Sequence, residues 1–180
     1  MTMAPERLVE LTRQIKNGDM SSFNELYETT KRVIFFNIFS YVNHHESAED
    51  LLQDTYVQFL KSLSSIKENE PILGYLMTIS KNLSLNYLRV NNRHRQLSEM
   101  EEETINSQDH YQIAENELVT RMKDLLKPDE FRIVYLKVIE EYSHKDIAHL
   151  LGKPLGTITW AYNNAIKKLQ KGLGNIYGKD

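Results

Sequence analysis

The side chains best suited to chemistry lie in the stretch "KPLGTITWAYNNAIKKLQK", from Lys153 to Lys171. A helical wheel turns one set of them outward: Thr157, Trp160, Asn163, Asn164, Lys167 and Lys171. A carboxamide pairs bidentately with adenine, an apolar ring can pack on thymine methyl groups, and lysine ammonium groups bind phosphates. The pattern favours a helix that reads A·T-rich DNA. Because no positive charge occurs from Leu155 to Ile166, a protein-docking surface is the alternative.

A second candidate surface lies in a stretch without acidic residues, between Pro71 and Ser98. Helical spacing gathers four polar side chains on one face: Lys81, Asn82, Arg89 and Arg93. The opposite face is apolar from Ile72 to Val90 and is predicted to pack. Ordinary solvated faces mix both signs of charge, so a cationic face without acids indicates a partner that carries phosphates.

The helix before it has the opposite character. Its predicted buried stripe consists of Ala48, Leu52, Tyr56, Phe59 and Leu63. The outward set is acidic with an apolar centre and consists of Asp50, Gln53, Asp54 and Val57. Such a surface suits a basic, helical protein partner, and the alternative is an ordinary solvated helix face.

The elements that must position these surfaces are helical, since apolar residues recur with a helical period and no strand pattern is present. The predicted helices cover about Pro5–Asn17, Ser21–Val42, Ser47–Leu63, Pro71–Asn92, Asn116–Leu126, Pro128–Glu140, Ser143–Leu151 and Leu155–Lys171. Gly18-Asp19 separates the first two helices. Ser47 followed by Asp50 resembles a capping box, and Pro71 suits a first helical turn.

The predicted fold class is all-α: two small helical modules joined by a flexible acidic linker, the second module containing a helix-turn-helix. The predicted domains are 1–95, the linker 96–115, and 116–180. The linker segment within "RHRQLSEMEEETINSQDHYQIAE" loses apolar periodicity and gains charge. The helix-turn-helix is indicated by apolar, small and turn-forming positions, namely Ile147, Ala148, Leu151, Gly152 and Ile158.

Composition excludes several classes of protein. With 41% hydrophobic residues, the 180-residue chain can bury one moderate core or two small ones. Neither a long apolar run nor a basic-then-apolar leader occurs, so we expect a cytoplasmic protein without membrane insertion. The absence of cysteine excludes disulfides and thiolate metal sites. The 6 histidines have no metal-ligand spacing, and we expect no metal, no cofactor and no enzymatic activity.

Several stretches together carry a family resemblance. "AEDLLQDTYVQFLKSL" and "PILGYLMTISKNLSLNYLRVNNRHR" resemble region two of the bacterial extracytoplasmic-function sigma factors. "LKPDEFRIVYLKVIEEYSHKDIAHLLGKPLGTITWAYNNAIKKL" is similar to their region four. The resemblance covers Phe23–Arg95 and Leu125–Leu173 in the family's order. It implies a factor that binds core RNA polymerase, recognises and melts promoters, and directs transcription initiation.

The resemblance also implies roles for individual residues. Asp50, Gln53 and Asp54, with Val57 among them, would face the coiled coil of the polymerase beta-prime clamp. The cationic face, Lys81, Asn82, Arg89 and Arg93, would meet the minus-ten promoter element. Asn82 would contact a flipped base, held by the loop from Ile66 to Glu70.

The second module would read the minus-thirty-five element through its last helix, with Lys167, Lys168 and Lys171 on phosphates. The beta flap and an anti-sigma factor are further expected partners. The acidic side chains of the linker, Glu99, Glu101, Glu102 and Glu103, could thread toward the template channel, or could serve only to keep the linker solvated.

Two other interpretations stay open. Thr159 and Ala161 stand where the family usually has Lys and Arg, so the second module of a sigma-like or helix-turn-helix regulator could mainly bind protein. The other interpretation is a dimeric helix-turn-helix regulator, but such a protein does not need an acidic helix followed by a cationic one. Binding to core RNA polymerase without DNA would separate a sigma factor from a simple regulator.

Overall fold

The computed structural model of this chain describes residues 5–42, 44–67, 70–97 and 113–177. Every regular element in these ranges is helical. The α-helices are α1 (Pro5–Lys16), α2 (Met20–Phe39), α3 (His45–Ser62), α4 (Ile72–Leu97), α5 (Ile113–Leu125), α6 (Pro128–Val134), α7 (His144–Leu151) and α8 (Leu155–Tyr177). A 3-10 turn (Leu63–Ser65) follows α3, and a π-helical turn (Tyr135–Ile139) follows α6. The all-α prediction is confirmed for the described residues, while the linker glutamates Glu99 and Glu101–Glu103 lie outside them.

Local sequence explains where the first helices begin. Gly18 adopts a left-handed conformation with φ +91°, and the Asp19 side chain then caps α2 by accepting from the Ser21 N–H at 3.0 Å. The predicted cap of α3 is wrong by three residues. His44 is the cap, and its Nδ1 accepts from the Ser47 N–H at 3.3 Å. A neutral imidazole nitrogen can accept a hydrogen bond, as a carboxylate does. Histidine is not one of the usual cap residues, so the sequence did not point to His44.

The first module, α1 to α4, packs around fully buried side chains: Leu11, Leu26, Ile34, Phe59 and Leu76. The buried stripe predicted for α3 is present, except that Leu63 is only half-buried. Val90, predicted to pack, is 42% exposed. The Tyr87 hydroxyl lies 2.7 Å from the Ser47 hydroxyl, in the first turn of α3. Val90 follows Tyr87 by about one turn of α4, so it lies beyond the start of α3.

The helix-turn-helix of the second module is formed by α7 and α8. Ser143 and Asp146 form a reciprocal capping box at the start of α7. Gly152 ends that helix at φ +60°, a conformation that favours glycine. Ile147 and Ile158 are fully buried and Ala148 is 9% exposed. The predicted scaffold is therefore confirmed, with Leu151 half-buried at its edge.

The two modules pack directly against each other, which the sequence did not predict. One apolar cluster contains buried residues of α1 to α4 together with Ile133, Leu136, Ile147 and Ile158 of the second module. A second cluster, built on α5, α6 and α8, takes in Phe36 and Phe39 of α2. The described helices thus share a core across the module boundary.

Candidate functional site

The acidic face of α3 is exposed. Asp50, Gln53 and Asp54 all reach solvent, and Val57 between them is 47% exposed. Within the described residues, neither carboxylate has an ion-pair partner. The same helix buries Ala48 and Phe59 completely on its other side, so its orientation is fixed. The structure therefore brings the four predicted residues together on one accessible surface.

The cationic face of α4 is exposed as well, and its four predicted residues are accessible: Lys81, Asn82, Arg89 and Arg93. Leu85 lies at the centre of this face and is 40% exposed. Leu85 is not among the predicted residues, although it stands four residues before Arg89 and so shares its side of the helix. The face therefore combines cationic, amide and apolar groups, which suits bases as well as phosphates.

The orientation of α4 is set from its buried side. Ser80 and Ser84 are fully buried. Their hydroxyls donate to the carbonyls of Met77 and Ser80, at 3.1 and 2.7 Å. The Asn37 carboxamide of α2 donates to the Met77 carbonyl and to the Ser80 hydroxyl. The bonds from Asn37 join α2 to the buried side of α4 and so hold the cationic face outward.

The loop before α4 corrects one predicted residue. The Ile66 side chain is only 5% exposed and packs in the core, so it presents almost no surface on which a base could stack. Its apolar character was a signal for burial. Its carbonyl instead accepts from the Lys16 ammonium of α1 at 2.6 Å, and this contact anchors the loop. Glu68 and Asn69, in the same loop, lie outside the described residues.

The outward face of α8 is accessible at its predicted positions. Trp160 is 68% exposed; Thr157, Asn163, Lys167 and Lys171 are exposed, and Asn164 is half-buried. Leu155, at the first residue of the helix, is 50% exposed and extends the apolar surface. The helix can thus present a ring, two amides and two cations to one partner.

Lys168, predicted to contact phosphate, lies beside that face and forms an ion pair within the second module. Its ammonium lies 2.7 Å from both carboxylate oxygens of Glu130 in α6. Burial alone would raise the pKa of Glu130, but the bonds from Lys168 and from the Lys127 N–H hold that pKa below its usual value. Lys168 therefore ties α8 to α6.

The described residues contain no group of three His, Asp or Glu side chains placed to hold a metal ion. None of the described helices is long and apolar enough to span a bilayer.

Comparisons with known proteins agree with the two-module division. The family model "Sigma-70 region 2" matches residues 26–94, and "Sigma-70, region 4" matches residues 116–169. The RNA polymerase sigma factor YlaC of Bacillus subtilis is 27% identical over 160 residues, which cover 84% of this chain and 92% of that relative. The ECF RNA polymerase sigma factor SigW of the same organism is 22% identical, covering 91% and 95%.

Two solved structures have the same fold. The sigma factor RpoE from Bartonella quintana, in complex with the anti-sigma factor NepR, matches with a TM-score of 0.63 and 22% identity, covering 84% of this chain and 96% of that one. CnrH, in complex with the cytosolic domain of CnrY, matches with a TM-score of 0.69 and 18% identity, covering 94% and 98%. With both region models matched in order along most of its length, the chain belongs to the extracytoplasmic-function subfamily of sigma-70-type RNA polymerase sigma factors and directs transcription initiation.

Proposed function

We propose that each of the three exposed faces has a separate role in transcription initiation. The acidic face of α3 binds the beta-prime clamp of core RNA polymerase. The cationic face of α4 binds and melts the minus-ten element, and the outward face of α8 reads the minus-thirty-five element. One observation carries this proposal. The neighbouring helices α3 and α4 expose faces of opposite charge, in a chain that also contains a complete helix-turn-helix. The domain boundaries 1–95, 96–115 and 116–180 are part of the proposal.

The chemistry of each face supports its role. Carboxylates around an apolar Val57 suit a basic coiled coil, since charge steers the encounter and apolar contact adds affinity. Melting a promoter trades a stacked base for protein contacts. Asn82 offers a donor and an acceptor for a base edge, while Arg89 and Arg93 can neutralise phosphates.

Partners and location follow from the family. We propose that the beta flap contacts the second module and that an anti-sigma factor regulates the chain, since one structural neighbour, RpoE, is in complex with the anti-sigma factor NepR. The protein would act in the cytoplasm, where the polymerase is, by binding alone and without a cofactor. The exposed Trp160 favours a second candidate, in which α8 mainly docks on protein.

Asn82→Ala is expected to slow promoter opening about tenfold or less while leaving closed-complex formation unchanged, because one or two hydrogen bonds to a base form only after that base unstacks. Arg93→Ala is expected to weaken binding to all promoters and to reduce its salt dependence. Permanganate footprinting measures opening, and salt titration of promoter binding measures the phosphate contact.

Asn91→Ala is the matched control, since Asn91 is an exposed amide on the opposite side of α4. Equal opening by the Asn82 and Asn91 variants would contradict the role of Asn82 in base capture.

A further inference from the structure

Lys153 lies in the turn just before α8, whose N-terminal half has no basic residue. No other Lys or Arg occurs in the sequence between Lys145 and Lys167. The turn fixes the backbone of Lys153, because its N–H donates to the Ala148 carbonyl at 2.9 Å. Only the side chain is therefore free to move, and it carries the ammonium on a flexible four-carbon stem.

Asp129, at the start of α6, binds this ammonium. Lys153 Nζ donates to the Asp129 carboxylate, and the side chains of Lys153 and Asp129 are 33% and 51% exposed. Burial alone would raise the pKa of Asp129, but the bonds from Lys153 and Arg132 hold that pKa below its usual value. Asp129 therefore stays ionised at neutral pH and competes for the ammonium with any other anion.

The same carboxylate has a second cation on its other oxygen. Arg132 Nη2 donates to Asp129 Oδ1, whereas Lys153 donates to Oδ2. The Arg132 side chain is 7% exposed and presents almost no surface to a ligand. Together the three groups carry one net positive charge. If Lys153 leaves, Asp129 keeps the bond from Arg132, so no partly buried carboxylate is left without a partner.

A DNA phosphate is an anion that could replace Asp129. Exposed ion pairs are worth a factor of about five at most, so the bond between Lys153 and Asp129 exchanges at low cost. Neutralising a phosphate also releases counterions that are condensed on the DNA, and pairing with a carboxylate of the protein does not.

The start of α8 is open to a ligand as large as DNA. A Cβ on Gly156 would meet no atom within 4 Å, and Leu155 is 50% exposed. Thr157, the first residue of the outward face of α8, is exposed as well. It follows Lys153 by four residues, which is at most about 14 Å of chain. The ammonium thus lies close to the predicted DNA-reading surface.

We propose that Lys153 binds a DNA phosphate at the start of α8, and that Asp129 competes with this phosphate for the ammonium. The contact supplies the charge that α8 lacks from Leu155 to Ile166, and the competition lowers the affinity that the contact provides. The inference rests on the proposed function in that α8 must lie on DNA. It does not depend on base reading, because a phosphate contact carries no sequence information.

Holoenzyme assembled from core RNA polymerase and the full-length chain tests the proposal. The DNA is a promoter fragment recovered by run-off transcription of genomic fragments, and its affinity for the holoenzyme is measured at several salt concentrations. Lys153→Met is expected to weaken binding and to reduce the slope of log affinity against log salt by about one. Asp129→Asn, which keeps an oxygen for Arg132, is expected to raise affinity about twofold to fivefold.

The double variant separates competition from a general effect of charge. With Lys153→Met in place, Asp129→Asn should leave the affinity unchanged, because no ammonium remains to be released. Lys31→Met in α2 and Asp124→Asn in α5 change the net charge by the same amounts at accessible positions. Both controls should leave affinity and salt slope unchanged.

Three results would overturn the proposal in variants whose helicity by circular dichroism is unchanged. They are an unaltered salt slope in Lys153→Met, no gain of affinity in Asp129→Asn, and an equal gain from Asp129→Asn with and without Lys153. If Asp129→Asn loses helicity, the salt slope of Lys153→Met alone decides.

A second fragment, with its minus-thirty-five sequence replaced, tests the proposed function separately. Equal binding of the two fragments by the unsubstituted holoenzyme would mean that α8 reads no element. The salt slope of Lys153→Met would still decide whether Lys153 contacts phosphate.

Discussion

Replacing both Asp50 and Asp54 by lysine is expected to lower the affinity of the chain for core RNA polymerase by about 100-fold or more. Like charges brought together at an interface cost several kcal/mol, and about 2.8 kcal/mol corresponds to 100-fold. Both side chains are exposed and unpaired within the described residues, so the substitution should leave folding intact. Competition binding to core polymerase without DNA measures the loss, and circular dichroism checks helicity.

The control must change net charge equally without touching α3. Two Asp→Lys changes move the net charge from −3 to +1. Glu10→Lys with Glu28→Lys does the same in α1 and α2. It breaks exposed ion pairs with Arg13 and Lys31, which are worth little, and one long hydrogen bond from Gln14. If both double variants lose affinity equally, the effect is one of overall charge and the α3 assignment is wrong.

Asn163→Ala or Asn164→Ala is expected to cost about 1–3 kcal/mol at one promoter position and to relax base preference there, because a bidentate amide contact discriminates by that amount. Trp160→Ala should lower activity on the preferred element as well. Lys167→Ala and Lys171→Ala should weaken all promoters uniformly, since they contact phosphates. Transcription from a library randomised across the minus-thirty-five region measures preference and strength together.

Two substitutions control for side-chain loss in the second module. Gln170→Ala removes an exposed amide two turns further along α8, and Lys145→Ala removes an exposed lysine of α7. Both should leave the library profile unchanged. A flat profile for the unsubstituted chain would show that α8 reads no sequence, and loss of protein binding in Trp160→Ala alone would favour the docking alternative.

Much of the fold could be predicted because the helices carry their own signals. The start of α7 is encoded by Ser143 and Asp146, and its end by Gly152. The buried side of α3 follows from spacing alone. Helix ends beyond these signals were less accurate. α4 continues to Leu97, where no glycine or proline requires an earlier end, and α8 continues through Gly172 and Gly174 to Tyr177.

The exposed faces were predictable for the same reason, since a charged face must point away from an apolar one. Contacts between distant helices were not. Lys168 resembles its neighbours Lys167 and Lys171 in sequence, and only the position of Glu130 shows that Lys168 pairs with α6. The family resemblance assigns Ile66 to a base-contacting loop, whereas its side chain packs in the core. The Asn37–Arg132 hydrogen bond joins residues 95 positions apart, and no local sequence pattern predicts it.

As a sigma factor, this chain gives core RNA polymerase the ability to start at chosen promoters. Run-off transcription of genomic fragments by core polymerase, with and without the chain, tests it most directly. We expect transcripts of defined length that appear only when the chain is present and share sequence at the minus-ten and minus-thirty-five positions. Transcripts identical to those of core polymerase alone would contradict it.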